Sequence, residues 1–186
     1  MSLADNLDKI AEDIRQSLAT KDAAREKALP LCREAIRFSS VAIRAVHRRE
    51  FDEARSLLTS ARKLLTEAEE AVSGCGELAN TGFIRDGERE FAEGSALLAL
   101  VMGEKVPHPD ELGVDYASYL NGLGEAAGEI RRYLLDSLRM GDASRGEALL
   151  SAMDDIYGIL VTMDFPDAIT GGLRRTTDMV RGVLER

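Results

Sequence analysis

Tryptophan is absent from this chain of 186 residues and aromatic side chains make up only 5% of it, so large rings cannot dominate its core. Apolar residues still reach 45%, carried by many Ala and Leu, and such an aliphatic core suits close-packed helices. Cysteine occurs twice, at Cys32 and Cys75, too rarely and too far apart for a disulfide framework or a zinc site. Reduced, packed thiols are expected. No apolar run approaches the ~20 residues of a membrane span, and the acidic start MSLADNLDKI is no signal peptide, which points to the cytoplasm. Basic residues are outnumbered, 24 against 33 acidic, for a net charge of −9. That balance excludes a protein that coats itself in phosphates, so any nucleic-acid contact must be local, through a basic patch or a metal ion. There is no Gly-rich phosphate loop, no dinucleotide fingerprint and no nucleophile elbow. Nor is there period-two alternation, so no strand is expected. The two histidines, His47 and His108, have no Cys, Asp or second His at metal-ligand spacing, and both are expected on the surface.

What is present is helical periodicity. Leu3, Leu7, Ile10, Ile14 and Leu18 form a stripe after a Ser2 or Asp5 cap, and Pro30 either kinks this helix or starts a new one. Leu31, Ala35, Phe38, Ala42 and Val46 continue the pattern, flanked by Arg33, Arg37, Arg44, His47, Arg48 and Arg49, the densest basic stretch of the chain. Those arginines either grip phosphates or decorate a solvated helix end, where cations favour the helix dipole. Further helices are predicted over 50–73, 86–102, 116–140, 143–163 and 167–186, separated by Gly74 and Gly76, by the loop KVPHPDELGVD with one short turn at Pro109, by Gly141-Asp142 and by Asp164-Phe165-Pro166. At this length one domain, 1–186, is the expectation.

Two of these helices carry paired acids. On 116–142 the stripe Tyr116, Leu120, Leu123, Ala127, Ile130, Leu134 and Leu138 faces a bundle, while Glu125 and Glu129 sit nearly opposite, with Gly122, Arg132 and Asp136. On 86–102 the stripe is Ile84, Phe91, Ser95, Leu98 and Met102, and Glu90 and Glu93 point away from it. Leu97 and Leu100 follow at almost the azimuth of those acids, so this helix is greasy all round and should be covered. Carboxylates beside a covered apolar surface need cations, hydrogen bonds or metal, because desolvating an unpaired one costs several kcal/mol, as a rough scale. The two pairs therefore make a candidate cation site, although a solvated face with Glu129 loosely paired to Arg132 fits each pair taken alone.

The segment from Tyr116 and Tyr119 to Gly122, then Gly128, Glu129, Arg131 and Arg132, Gly141-Asp142, Met153 to Tyr157, and Gly172-Leu173-Arg174-Arg175 with Asp178 resembles the translin and TRAX family of all-helical nucleic-acid proteins. The resemblance runs from about residue 80 to the end. Its TRAX-type subunits share a Glu-aromatic-x-Glu motif and a later acid-x-x-x-Glu motif, matched here by Glu90-Phe91-Ala92-Glu93 and by Glu125 to Glu129, with Glu at 125 where Asp is common. The resemblance implies an all-α bundle of about six to seven antiparallel helices and a homo-oligomer closed into an octamer-like shell. It also implies a Mg²⁺- or Mn²⁺-dependent ribonuclease acting on single-stranded RNA, with Glu90, Glu93, Glu125 and Glu129 as metal ligands and catalytic residues. Oxygen-rich sites suit those ions. Arg37, Arg44, Arg48, Arg49 and Arg132 are the candidate nucleic-acid contacts. A non-catalytic RNA- or single-stranded-DNA-binding relative and a helical scaffold are the alternatives.

Overall fold

The computed structural model describes residues 3–79 and 81–185, so the cap expected at Ser2 and the helix end expected at Arg186 lie outside the described residues. Among those described there is no strand, and the chain is all-α as expected. Six long helices alternate with three single turns: α1 (Leu3–His47), α2 (Phe51–Val72), α3 (Gly76–Ala79), α4 (Gly82–Met102), α5 (Pro109–Leu112), α6 (Tyr116–Arg139), α7 (Gly146–Thr162), α8 (Asp167–Thr170) and α9 (Leu173–Leu184).

Helix α1 passes through Pro30 without ending. Its second half carries the apolar stripe inward, with Ala28, Cys32, Ala35, Ala42 and Val46 buried. The first half behaves differently. Leu7, Ile10, Ile14 and Leu18 keep the expected spacing but stand 46–59% exposed, because no other described element runs alongside them. Helix α2 folds back along α1 after a turn whose residue Arg49 has a left-handed φ of 63°. Its buried face, Ala54, Leu58, Ala61, Leu65, Ala68 and Val72, follows the 3–4 spacing of its apolar residues.

Helix α4 lies in the middle, against α1, α2 and α6. That central place explains a sequence greasy on all sides: every residue from Phe91 to Ala99 is buried. Gly94 lets α1 and α2 approach, since a Cβ there would lie 3.0 Å from Leu58 and 3.5 Å from Ile43. The helix stops at Gly103, whose φ of 75° allows its N–H to return to Ala99 and Leu100.

The expected antiparallel arrangement does not extend to the central pair. Arg89 meets Gly122 and Glu125, and Arg85 lines a cavity with Ala117 and Ser118, so α4 and α6 ascend side by side in the same direction. The segment 103–115 returns along α2 to make this possible, held by Arg55 on Glu104 and by Arg62 on the Gly113 carbonyl. Helices α7 and α9 cover the far side of α6. The predicted last helix is two pieces, because Gly171 and Gly172 both adopt positive φ, of 62° and 87°, and turn the chain between them; Ile169, on the first piece, is 63% exposed.

Candidate metal centre

The carboxylates meet on the seam between α4 and α6. Gly122 sets how close those helices come: a Cβ there would sit 2.4 Å from the Arg89 carbonyl oxygen and 3.0 Å from the Glu93 nitrogen. The side of α6 opposite the expected packing stripe is therefore packed as well, with Gly122 buried and Glu125 half-buried. Glycine is the only residue that fits this approach without displacing backbone.

One carboxylate oxygen from each of Glu90, Glu93 and Glu125 lies within 4.8 Å of the other two. Glu90 accepts a bond from Ser40 Oγ of α1 at 3.3 Å. Glu93 is 8% exposed, and its acid is pushed up to about 8, first by burial and then by the negative charges of Glu90, Glu125 and Glu129. Arg89 pulls it the other way. Burial also raises Glu125, against the attraction of Arg89, whose Nε lies 3.2 Å from Glu125 Oε2. Two carboxylates at such a separation repel by about 3 kcal/mol at an effective dielectric of 20. A single guanidinium, itself shared with Asp86 at 3.1 Å, does not offset three of them.

The donor set tests positively for a hard divalent cation. It is all oxygen, it is crowded beyond what the local cations balance, and its innermost member is held in the form that a cation would displace.

Glu129 stands beside this set, close enough to act on Glu93 but outside the mutual 4.8 Å grouping. His47 explains why. Expected on the surface, it is instead partly buried, its side chain 8% exposed, with Nε2 2.5 Å from Glu129 Oε2. That hydrogen bond holds the Glu129 carboxyl below the usual range, helped by Arg132 at 3.6 Å. The partner lies 82 positions away, which no local spacing rule could reveal. His108 does lie at the surface, capping α5 by accepting from the Asp110 N–H at 3.2 Å.

The basic stretch is largely engaged within the chain. Arg37 binds Glu34 through two nitrogens, Arg48 binds Glu50 at 2.5 Å, and Arg49 binds Asp142 at 2.9 Å while lying over the Tyr133 ring. Arg44 is exposed with no ion pair among the described residues. Arg85 and Arg89, on the carboxylate seam itself, were not singled out by the sequence; their spacing of four on the helix that bears Glu93 was the available signal. Among the described residues no helix is long and apolar enough to cross a membrane.

Comparison with known proteins gives a consistent set of relatives. No protein-family model matches the chain. An uncharacterized protein of Methanocaldococcus jannaschii is 29% identical over 174 residues, spanning 91% of this chain and 75% of that protein. The structure of AfC3PO in complex with duplex RNA is 33% identical, with a TM-score of 0.85 over 95% of this chain and 91% of that one. The crystal structure of AfC3PO matches with the same identity and TM-score. Apo-NeC3PO, at 22% identity and a TM-score of 0.80, covers 100% of this chain and 95% of that one, a likeness of fold.

Proposed function

The chain belongs to the translin/TRAX family, and from that premise we propose that it is a divalent-metal-dependent ribonuclease of the TRAX type. The observation that carries the reading is the approach of Glu90, Glu93 and Glu125 oxygens to within 4.8 Å of one another. These three residues would hold Mg²⁺ or Mn²⁺, with Glu129 at the margin of the site. A bound ion of this kind lowers the pKa of a water and shields charge on phosphate oxygens. The chain's own groups do the rest. Ser40 orients Glu90, Arg89 fixes Glu125, and His47 with Arg132 keeps Glu129 ionised beside the site. RNA is the proposed substrate because a relative of 33% identity has been seen in complex with duplex RNA.

The test is a cleavage assay on labelled single-stranded and duplex RNA in Mn²⁺ or Mg²⁺. Cleavage is expected from the natural chain, with loss in Glu93→Gln and Glu125→Gln and retained RNA binding in both. Cleavage that persists at the natural rate in both variants ends the nuclease reading.

A second reading, RNA binding without cleavage, draws on the engagement of Glu129 by His47 and Arg132, which leaves three carboxylates in the group. Binding of RNA with no cleavage in either metal would select it. A homo-oligomer is part of the proposal, and the exposed Leu7, Ile10, Ile14 and Leu18 favour contact with a second copy. Light scattering that returns a monomer mass of 20.3 kDa would remove that part.

A further inference from the structure

One helical turn below the carboxylates, the α4–α6 seam opens into a small cavity of about 40 Å³ lined by Arg85, Arg89, Ala117, Ser118, Asn121 and Gly171. Room of this size takes a few waters or one small polyatomic group. Its polar lining is donor-rich. The Arg85 Nε is buried and makes no hydrogen bond, and the Arg85 side chain has no ion pair among the described residues. Ser118, only 4% exposed, turns its hydroxyl to the buried Glu88 carboxyl and makes no other hydrogen bond. Asn121 by contrast is fully used: its amide nitrogen donates to Ala117 and Thr170, and its oxygen accepts from Thr176.

A buried guanidinium nitrogen without a partner costs free energy that a structure keeps only where something else fills it. Gly171 adds a third element. It precedes Gly172, which starts the 12-residue α9 with no side-chain cap, so that helix presents uncompensated N–H groups at the end nearest the cavity. The negative groups nearby are already committed or turned elsewhere. Asp86 and Glu125 pair with Arg89, and Asp115 caps α6 through the Ala117 and Ser118 N–H groups; Glu88, buried beside Ser118, keeps one carboxyl oxygen without a partner, and its burial favours the uncharged acid, which does not repel an anion. Arg85 is thus the one guanidinium lining the cavity that has no ion pair among the described residues.

The geometry points to a phosphate subsite formed by Arg85, Arg89 and Ser118, which holds an RNA backbone phosphate next to the one presented to Glu90, Glu93 and Glu125. The assignment rests on the ribonuclease reading for its substrate and not for its chemistry. Arg85 lies one turn before Arg89 on the same face of α4, an axial offset of about 6 Å at 1.5 Å per residue, comparable to the step between neighbouring phosphates of an extended strand, and Arg89 in turn borders Glu125. A planar guanidinium suits this task because its fork of donors matches phosphate oxygens.

Binding of labelled single-stranded RNA is measured in EDTA, where no cleavage occurs, as a function of salt for the natural chain, Arg85→Gln and Arg85→Lys. Arg85→Gln is expected to bind more weakly and to lower the log–log salt slope by about one. Arg85→Lys should restore the slope and only part of the affinity. Since Arg85 has no protein partner to lose, thermal melting should not change. In the cleavage assay the Arg85→Gln variant should raise KM with kcat little changed. An unchanged slope and affinity in Arg85→Gln overturns the subsite, whether or not the natural chain cuts RNA. A reduced slope in a chain that cuts nothing keeps the subsite and ends the nuclease reading. Thermal protection by inorganic phosphate that depends on Arg85, with RNA affinity indifferent to it, makes this a small-anion site and overturns the RNA assignment.

Discussion

Gly122 on α6 and Arg89 on α4 touch through backbone: a Cβ at 122 would sit 2.4 Å from the Arg89 carbonyl oxygen. This contact fixes the spacing of the two helices that carry Glu93 and Glu125, so one missing side chain governs the carboxylate site. Gly122→Ala must push α4 and α6 apart. A loss of about 1–3 kcal/mol is expected from overpacking, with Mn²⁺ affinity falling further than stability alone explains. Calorimetric titration with Mn²⁺ beside denaturant unfolding checks both. Gly128, two turns on, has nothing within 4 Å of its missing Cβ. Gly128→Ala should therefore stabilise by roughly 0.4–1 kcal/mol through helix propensity and leave metal binding unchanged.

Glu93 sets a pH dependence. Its acid is raised to about 8 in the folded chain by burial and by Glu90, Glu125 and Glu129, above the ordinary carboxylate range of the unfolded chain. The folded form therefore holds the extra proton, and the stability this brings is complete at acid pH, declines as pH climbs towards 8, and is gone beyond it. Metal-free protein should lose melting temperature over that window, whereas Glu93→Gln, which has nothing to ionise, should not. Mn²⁺ affinity should run the opposite way and strengthen up to about pH 8, because the ion must displace the proton. A melting temperature of the metal-free natural chain as flat with pH as that of Glu93→Gln would contradict the assignment.

His47 keeps Glu129 ionised. Replacing it by Phe leaves a half-buried carboxylate with Arg132 alone, at 3.6 Å, and should cost about 1–3 kcal/mol near neutral pH. Because the hydrogen bond depresses the Glu129 acid, its contribution is present above the ordinary carboxylate range and is lost as pH falls. The difference between natural and His47→Phe chains should shrink in acid. Urea unfolding at two pH values measures it.

Among the basic residues the pairing pattern ranks their effects on RNA. Arg44 is exposed without an ion pair, whereas Arg37, Arg48 and Arg49 are held by Glu34, Glu50 and Asp142. Arg44→Ala should lower the salt slope of RNA binding by close to one, and Arg48→Ala by less, because part of its charge is already neutralised.

The helices were legible in the sequence because apolar residues recur at helical spacing, and even the unusual burial of α4 followed from Leu97 and Leu100 lying beneath its acids. Two acid pairs and a family resemblance point to a convergence of Glu90, Glu93, Glu125 and Glu129, of which the structure groups the first three and leaves Glu129 at the margin. His47 was not legible, since an isolated histidine shows its role only through a partner brought in by tertiary folding. Periodicity also could not show that α4 and α6 run in the same direction, a matter of how the 103–115 segment travels. Nor could it distinguish Leu65, buried within the core, from Ile14, which has the same helical spacing and no neighbour to cover it.

Neither core cluster contains a residue earlier than Ala28, and none of the carboxylate-bearing positions does either. From Asp5 to that point α1 extends roughly 35 Å at 1.5 Å per residue, braced by Lys21 on Glu77. It is a rigid mast. A fluorophore or affinity handle mounted at its tip would report rotation and assembly of the whole particle while remaining far from the acids.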